Sequence, residues 1–210
     1  MVIKLNIIFA GSKGKTGSIV YNYLKEKGYK ISNEVNLNEN NLEEIIVPNS
    51  IVIDFTNSEA AFNHANICLN NNSHFICGTT GISEENINIF SKKALEKQLH
   101  FVFSPNFSLG IPKIIPFLQE LKNDFPNSSI TESHHISKKD IPSGTALLLQ
   151  KHLSKDTPIN SIRTTYQTLD HIICLENEYE EIKISHIVKN KLAYAKGVEK
   201  ELIKILKKGR

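Results

Sequence analysis

What the chain has little of narrows the field first. Three cysteines in 210 residues, Cys68, Cys77 and Cys174, are too few and too scattered for a disulfide framework or a zinc knuckle. They read instead as small buried apolar side chains in a reducing compartment. Ten glycines and seven prolines exclude collagen-like and low-complexity classes. Arginine is almost missing: only Arg163 and Arg210 share a net charge of +3 with the lysines, so there is no arginine-rich face for nucleic acid. No apolar run approaches a membrane span and no signal-peptide pattern opens the chain, which predicts a cytoplasmic protein without membrane or nucleic-acid partners. The remaining composition, 40% hydrophobic and 22% charged, is that of a globular chain long enough for one large domain or two small ones.

The first half alternates strand and helix signals. Residues 2–10 turn wholly apolar, as a buried central strand does. The glycine loop Gly11-Ser12-Lys13-Gly14-Lys15-Thr16-Gly17 follows, and then a stretch with Ile19, Val20, Tyr23 and Leu24 at helical spacing, closed by Gly28. Further strands are predicted over 29–35, 51–55, 74–78 and 100–104, separated by a short helix at 42–46 and longer ones after Thr56-Asn57-Ser58 and over 84–98. This is the grammar of a Rossmann-type doubly wound parallel α/β sheet. After Pro105 strict alternation ends. A helix at 111–122, a strand at 129–136, a helix from about Ser143, strands within 161–188 and a closing helix over 191–208 predict a second, α+β unit.

The chemistry-bearing residues fall on loops. A Gly-x-x-Gly-x-x-Gly loop between strand and helix suits a dinucleotide pyrophosphate, because backbone N–H groups and the positive helix end meet there; the alternative is a tight structural turn. The second strand ends in Glu34-Val35-Asn36, where an acid usually holds the adenosine ribose. Asn36 fits the end position and carries no charge against a 2′-phosphate, with Glu34 as the alternative if the strand is shorter. The choice between NADH and NADPH stays open, leaning to NADPH or dual use. Asp54-Phe55-Thr56, Gly78-Thr79-Thr80-Gly81 and Ser104-Pro105-Asn106-Phe107-Ser108 add three more turns at the carboxyl edge of the sheet, favouring a cofactor cleft.

The densest segment runs from Glu132 to Ala146. Adjacent His134 and His135 on a strand point to opposite faces, so joint metal binding is disfavoured and one imidazole serves better as acid/base. Lys138, at an even offset from His134, shares its side if the chain stays extended. Ser143, Gly144 and Thr145 begin a helix whose N–H groups suit a carboxylate.

The run E-x-H-H-x-x-K-x-D-x-P-S-G-T-A, Glu132 to Ala146, closely resembles the signature of the dihydrodipicolinate reductases, now called 4-hydroxy-tetrahydrodipicolinate reductases, of lysine and diaminopimelate biosynthesis. The Asp54, Gly78 and Pro105 turns match the same family in order, and Asn190-Lys191-x-x-Tyr194-Ala195-x-Gly197 resembles its last motif, with lysine at 191 where arginine is usual. The resemblance implies an NADPH- or NADH-dependent reductase of a small cyclic dicarboxylate. It implies His134 as acid/base, Lys138 as proton donor, and His135, Gly144 and Thr145 on the substrate carboxylates. It implies Gly11, Ser12, Lys13, Gly14, Lys15, Thr16, Gly78, Thr79, Thr80, Ser104, Pro105, Asn106 and Phe107 along the cofactor; no metal is expected, given the alternating faces of the two histidines. The expected domains are 1–106 plus 191–210 for the dinucleotide and 107–190, inserted, for substrate binding and oligomerisation. The resemblance implies a tetramer. A loop trimmed between 37 and 51 and an abbreviated stretch at 162–180, lacking the family's usual glycine- and histidine-containing loop, leave a dimer open. Two rivals remain: a same-fold dehydrogenase of another small acid, and a non-catalytic nucleotide-binding relative.

Overall fold

The computed structural model describes residues 6–36, 41–166 and 169–208. The loop expected at 36–41 falls largely outside them. The chain divides into two compact units, one made of the residues up to Phe107 together with those from Tyr194 onward, the other Ser108–Ala193.

In the first unit the strands are β1 Ile7–Ala10, β2 Ile31–Val35, β3 Ile51–Asp54, β4 His74–Cys77 and β5 Phe101–Phe103. They pair in parallel in the order β2-β1-β3-β4-β5. The helices between them are α1 Gly17–Glu26, α2 Leu42–Ile45, α3 Ser58–Asn70 and α4 Glu84–Glu96. β1 and β3 are buried at every position, as strands covered on both faces must be. Alternate side chains feed two cores: Ile8, Val52, Phe75 and Cys77 pack with α3 and α4, while Phe9, Ile53 and Ile76 pack with Val20 and Leu24 of α1. The second core also takes Ala195, Val198, Leu202 and Ile205, from α7 Leu192–Lys208, so the closing helix seals the first unit. Burying Phe9 or Phe75 completely contributes about 2–3 kcal/mol each. The order in which successive strands are laid down reverses between β1 and β3. A doubly wound sheet opens its ligand crevice outside the carboxyl ends of the strands at such a reversal.

The second unit carries α5 Ile111–Leu121, β6 Asn127–His135, α6 Gly144–His152, β7 Ile159–Thr164, β8 Leu169–Glu176 and β9 Glu181–Ile187. Its mixed sheet has the order β7-β6-β8-β9, with β6–β7 parallel and the other pairs antiparallel. One face buries Ile130, Ile173 and Leu175 against Leu118 of α5 and Leu149 of α6. No helix among the described residues is long and apolar enough to cross a membrane.

Candidate active site

In the first unit, Gly11 follows β1 at φ +84°, a left-handed conformation that glycine adopts without strain. A Cβ there would lie 2.4 Å from the Phe55 carbonyl oxygen, and one on Gly17 would lie 2.0 Å from the Gly11 carbonyl oxygen. The loop is therefore folded onto the residue after β3 and onto its own helix start too closely for a side chain at Gly11 or Gly17. It delivers the chain into α1, where Thr16 at the N-cap makes no side-chain cap bond and the first turn holds no acid. By contrast, Asn57, Ser83 and Ser143 cap α3, α4 and α6 with their own side chains. Beside this helix start lies a cavity of about 500 Å³. Of the residues expected at the cofactor, Gly14, Lys15, Thr16, Gly78, Thr79 and Thr80 line it, joined by Gly17, Phe55, Thr56, Asn57 and Ser58.

Gly11, Ser12, Lys13 and Asn36 lie in and beside the same loop but do not line the cavity. Ser12 Oγ contacts Asn36 Oδ1 at 3.1 Å, and the Lys13 amide donates to that oxygen at 3.3 Å. Ser104 and Asn106 brace their own turn, the Ser104 hydroxyl donating to the Asn106 carbonyl at 2.8 Å. Phe107 is buried in the core with its ring 6.2 Å from that of Phe55, and Pro105 is exposed.

Two carboxylates that the sequence offered only as an alternative strand end and as part of a turn make bonds that the sequence did not foretell. Glu34 accepts from Ser12 Oγ and Tyr21 Oη at 2.5 Å each, and these hydroxyls hold its carboxyl below the usual range. Asp54 is fully buried at the end of β3. One of its oxygens accepts from the Thr56 amide, the Thr56 hydroxyl and the Thr79 hydroxyl at 2.8–2.9 Å; the other faces His64 Nδ1 at 2.6 Å. The cavity's Thr56 and Thr79 are thereby pinned to one carboxylate. An uncapped helix start, a loop with no room for a Cβ at Gly11 or Gly17 and a carboxylate beside it fit a nicotinamide dinucleotide.

In the second unit β6 puts Glu132 and His134 on its inner face and turns His135 the other way. His134 Nδ1 bonds the Glu132 carboxylate. The ring of His171, on β8, meets that of His134 edge-on at 5.3 Å. Burial lowers the His134 pKa, and Lys138 and Arg163 lower it further against the opposing pull of Glu132. Burial, with His134 beside it, brings His171 down to about 4. For Glu132, burial pushes upward, but the Arg163 guanidinium and His134 outweigh it and its carboxyl stays below the usual range. Both imidazoles are thus neutral at pH 7.

The extended chain on which Lys138 would share the side of His134 does not continue that far. The strand ends at His135, and the Lys138 amide turns back to the His135 carbonyl at 2.9 Å. Lys138 reaches His134's surroundings through this turn, and its Nζ bonds both oxygens of Asp140 at 2.7–2.8 Å. Lys139 is exposed. The Asp140 carboxylate also receives the Gly144 amide, and these donors hold its pKa down against burial. Ser143 is buried: its hydroxyl accepts from Ala146 N at 3.2 Å and lies 3.2 Å from His171 Nε2. Gly144 is half-buried and Thr145 buried in the first turn of α6. His135 accepts the Ser137 amide at Nδ1, 3.1 Å, which leaves Nε2–H as its outward donor. Among the described residues no group of three or more His, Cys, Asp or Glu is arranged to hold a metal ion.

The sequence comparisons agree with this geometry across both units. Residues 5–107 match the family model described as dihydrodipicolinate reductase, N-terminus, and residues 113–210 the one described as dihydrodipicolinate reductase, C-terminus. The chain belongs to the dihydrodipicolinate reductase family. It is 32% identical to the 4-hydroxy-tetrahydrodipicolinate reductase of Thermosipho africanus over 94% of this chain and 90% of that one. To the enzyme of the same name from Buchnera aphidicola subsp. Cinara cedri it is 28% identical, covering 98% of this chain and 93% of that one. Among solved structures, the dipicolinate-bound dihydrodipicolinate reductase of Paenisporosarcina sp. TG-14 has the same fold, with a TM-score of 0.74, 22% identity and coverage of 97% and 95%. As a member of this reductase family, the chain is most informative where its motifs and its buried network coincide, at Glu132, His134 and the start of α6.

Proposed function

We propose that this protein is a 4-hydroxy-tetrahydrodipicolinate reductase, using NADH or NADPH to reduce a small cyclic dicarboxylate. The observation that carries this reading is the run from the buried Glu132–His134 pair through Lys138 to the first turn of α6. A bound nicotinamide supplies the hydride. Reduction leaves negative charge on the ring, and the Lys138 ammonium supplies the compensating proton, to be reloaded from solvent. His134 is held neutral with Nδ1–H on Glu132, so its Nε2 lone pair is open to take a proton from solvent and pass it on when Lys138 is reloaded. The Asp140 carboxylate already gathers the Lys138 ammonium and the Gly144 amide, so donors for a carboxylate are assembled there before substrate arrives. Thr145 and the outward Nε2–H of His135 extend that set.

Glu34 supports NADH over NADPH. A buried-edge carboxylate accepts from a ribose 2′-hydroxyl and repels a 2′-phosphate, and this outweighs the neutrality of Asn36. For assembly, the second unit's sheet leaves Ile162, Ile172 and Ile187 exposed at 39%, 41% and 57%. That row supports a homo-oligomer closed through this sheet, read out as mass by light scattering. The function itself is tested by coupling the protein to dihydrodipicolinate synthase and following oxidation of each nicotinamide. Oxidation that depends on the synthase supports the assignment. Nucleotide binding without turnover overturns it in favour of a non-catalytic relative.

A further inference from the structure

Glu132 is the point at which three parts of the second unit meet. Its side chain is completely buried. One oxygen takes His134 Nδ1 from two residues along β6. The other takes the Ser143 amide at the N-cap of α6, 3.3 Å, and Arg163 Nη2 from β7, 3.0 Å. Arg163 is itself largely enclosed, with 12% of its side chain exposed. Its reach does not stop at Glu132. The same Nη2 donates to the Asp140 carbonyl at 2.7 Å and Nε to the Lys138 carbonyl at 3.4 Å, while Nη1 returns to Ile162 of its own strand at 2.9 Å. A planar guanidinium serves several acceptors in fixed directions, which a lysine ammonium on a flexible stem does not. This chain draws 23 of its 25 cations from lysine, yet it places an arginine here.

We propose that Glu132 and Arg163 form a positioning pair for the reduction: Glu132 sets the His134 ring and the start of α6, and Arg163 fixes the backbone at Lys138 and Asp140. Neither touches the reacting atoms. The proposal rests on the reading of His134 and Lys138 as the proton-handling groups. The groups facing the pair are His134, His171, Lys138 and Asp140, and their mutual placement is what the pair maintains.

Steady-state kinetics of R163K, R163A and E132Q, with K138A as a control, test it. Loss of the clamp lowers kcat about 100-fold in R163A, the cost typical of a small misplacement of catalytic groups, with the KM for nicotinamide unchanged. R163K stays low although it keeps the charge, and guanidinium ion at subdenaturing concentration rescues R163A. A variant that raises only the dicarboxylate KM makes Arg163 a substrate ligand and overturns the proposal, as does R163K with wild-type kcat. Removing one buried partner endangers folding, so the double variant E132Q/R163M, which buries no lone charge, is the second arm. Wild-type kcat in that variant overturns the positioning role, and low kcat at an unchanged melting temperature supports it. Long-range proton–nitrogen NMR of the imidazoles needs no turnover. His134 is held as the Nδ1–H tautomer in the wild type and released in E132Q, and an unchanged His134 spectrum in E132Q refutes the Glu132 half. An inactive wild type refutes the functional reading alone, and the NMR arm still decides the pair.

Discussion

The Thr79 hydroxyl donates to the Asp54 carboxylate at 2.8 Å, tying the turn after β4 to the end of β3. The same carboxylate holds Thr56 and pairs with His64. Both threonines line the cavity beside the glycine loop, so the shape of that wall depends on one buried acid. Replacing Asp54 with Ala leaves His64 and two hydroxyls without their acceptor. The expected cost is about 1–3 kcal/mol of stability for each buried donor left unmatched. NADH binding weakens about tenfold, roughly 1.4 kcal/mol. Urea unfolding and fluorescence titration with NADH measure the two effects, and unaltered NADH affinity in a folded D54A protein removes Asp54 from this role.

Glu34 makes a second, separable prediction at the other side of the loop. E34Q keeps hydrogen-bonding capacity toward Ser12 and Tyr21 but removes the charge. The ratio of kcat/KM for NADPH over NADH rises roughly tenfold, because the repulsion of the 2′-phosphate is lost while the ribose contact survives. A ratio that does not move places nucleotide selection elsewhere, with Asn36 and Lys13 next in line.

Most of the framework was legible because it is written in local periodicity. Apolar strands such as 51–54 and the glycine loop announce a parallel sheet without any long-range information, and the segment 132–146 is contiguous, so its residues stay together wherever the chain goes. What was not legible is long-range or conformational. Arg163 stands 31 residues from Glu132 and His171 stands 28 from Ser143, and no spacing rule joins them; only the pairing of β6 with β7 and β8 does. Asp54 and His64 are separated by one strand end and a helix turn, and the His in α3 read simply as part of a helical face. The condition set on Lys138, a chain that stays extended, is not met for a physical reason: period-two reasoning holds while the strand persists, and the strand ends at His135, where the chain turns.

Lys138 and Lys139 supply the third prediction. K138A lowers kcat about 100- to 10,000-fold, the range for loss of a general acid, while NADH affinity is retained. K139A behaves as the wild type because that side chain is exposed. Stopped-flow turnover and NADH titration separate these effects. Equal loss of turnover and NADH binding in K138A counts against proton donation.

His171 gives the stability of the protein a pH dependence whose sign follows from its burial. Its pKa falls from 6.5 to about 4 in the folded state, through burial first and then His134. Between those values the unfolded chain binds a proton that the native protein refuses, so acid favours unfolding. The contribution is whole above pH 6.5, shrinks as pH falls toward 4, and changes no further below that. A displacement of this size corresponds to roughly 3 kcal/mol. His134 is lowered by burial as well and acts in the same direction. H171N, which cannot titrate and retains a donor for Ser143, flattens the fall in urea midpoint between pH 6.5 and pH 4 relative to the wild type. If the two proteins lose stability in parallel over that interval, His171 is protonated in the folded state and the neutral histidine pair beneath the active site does not exist.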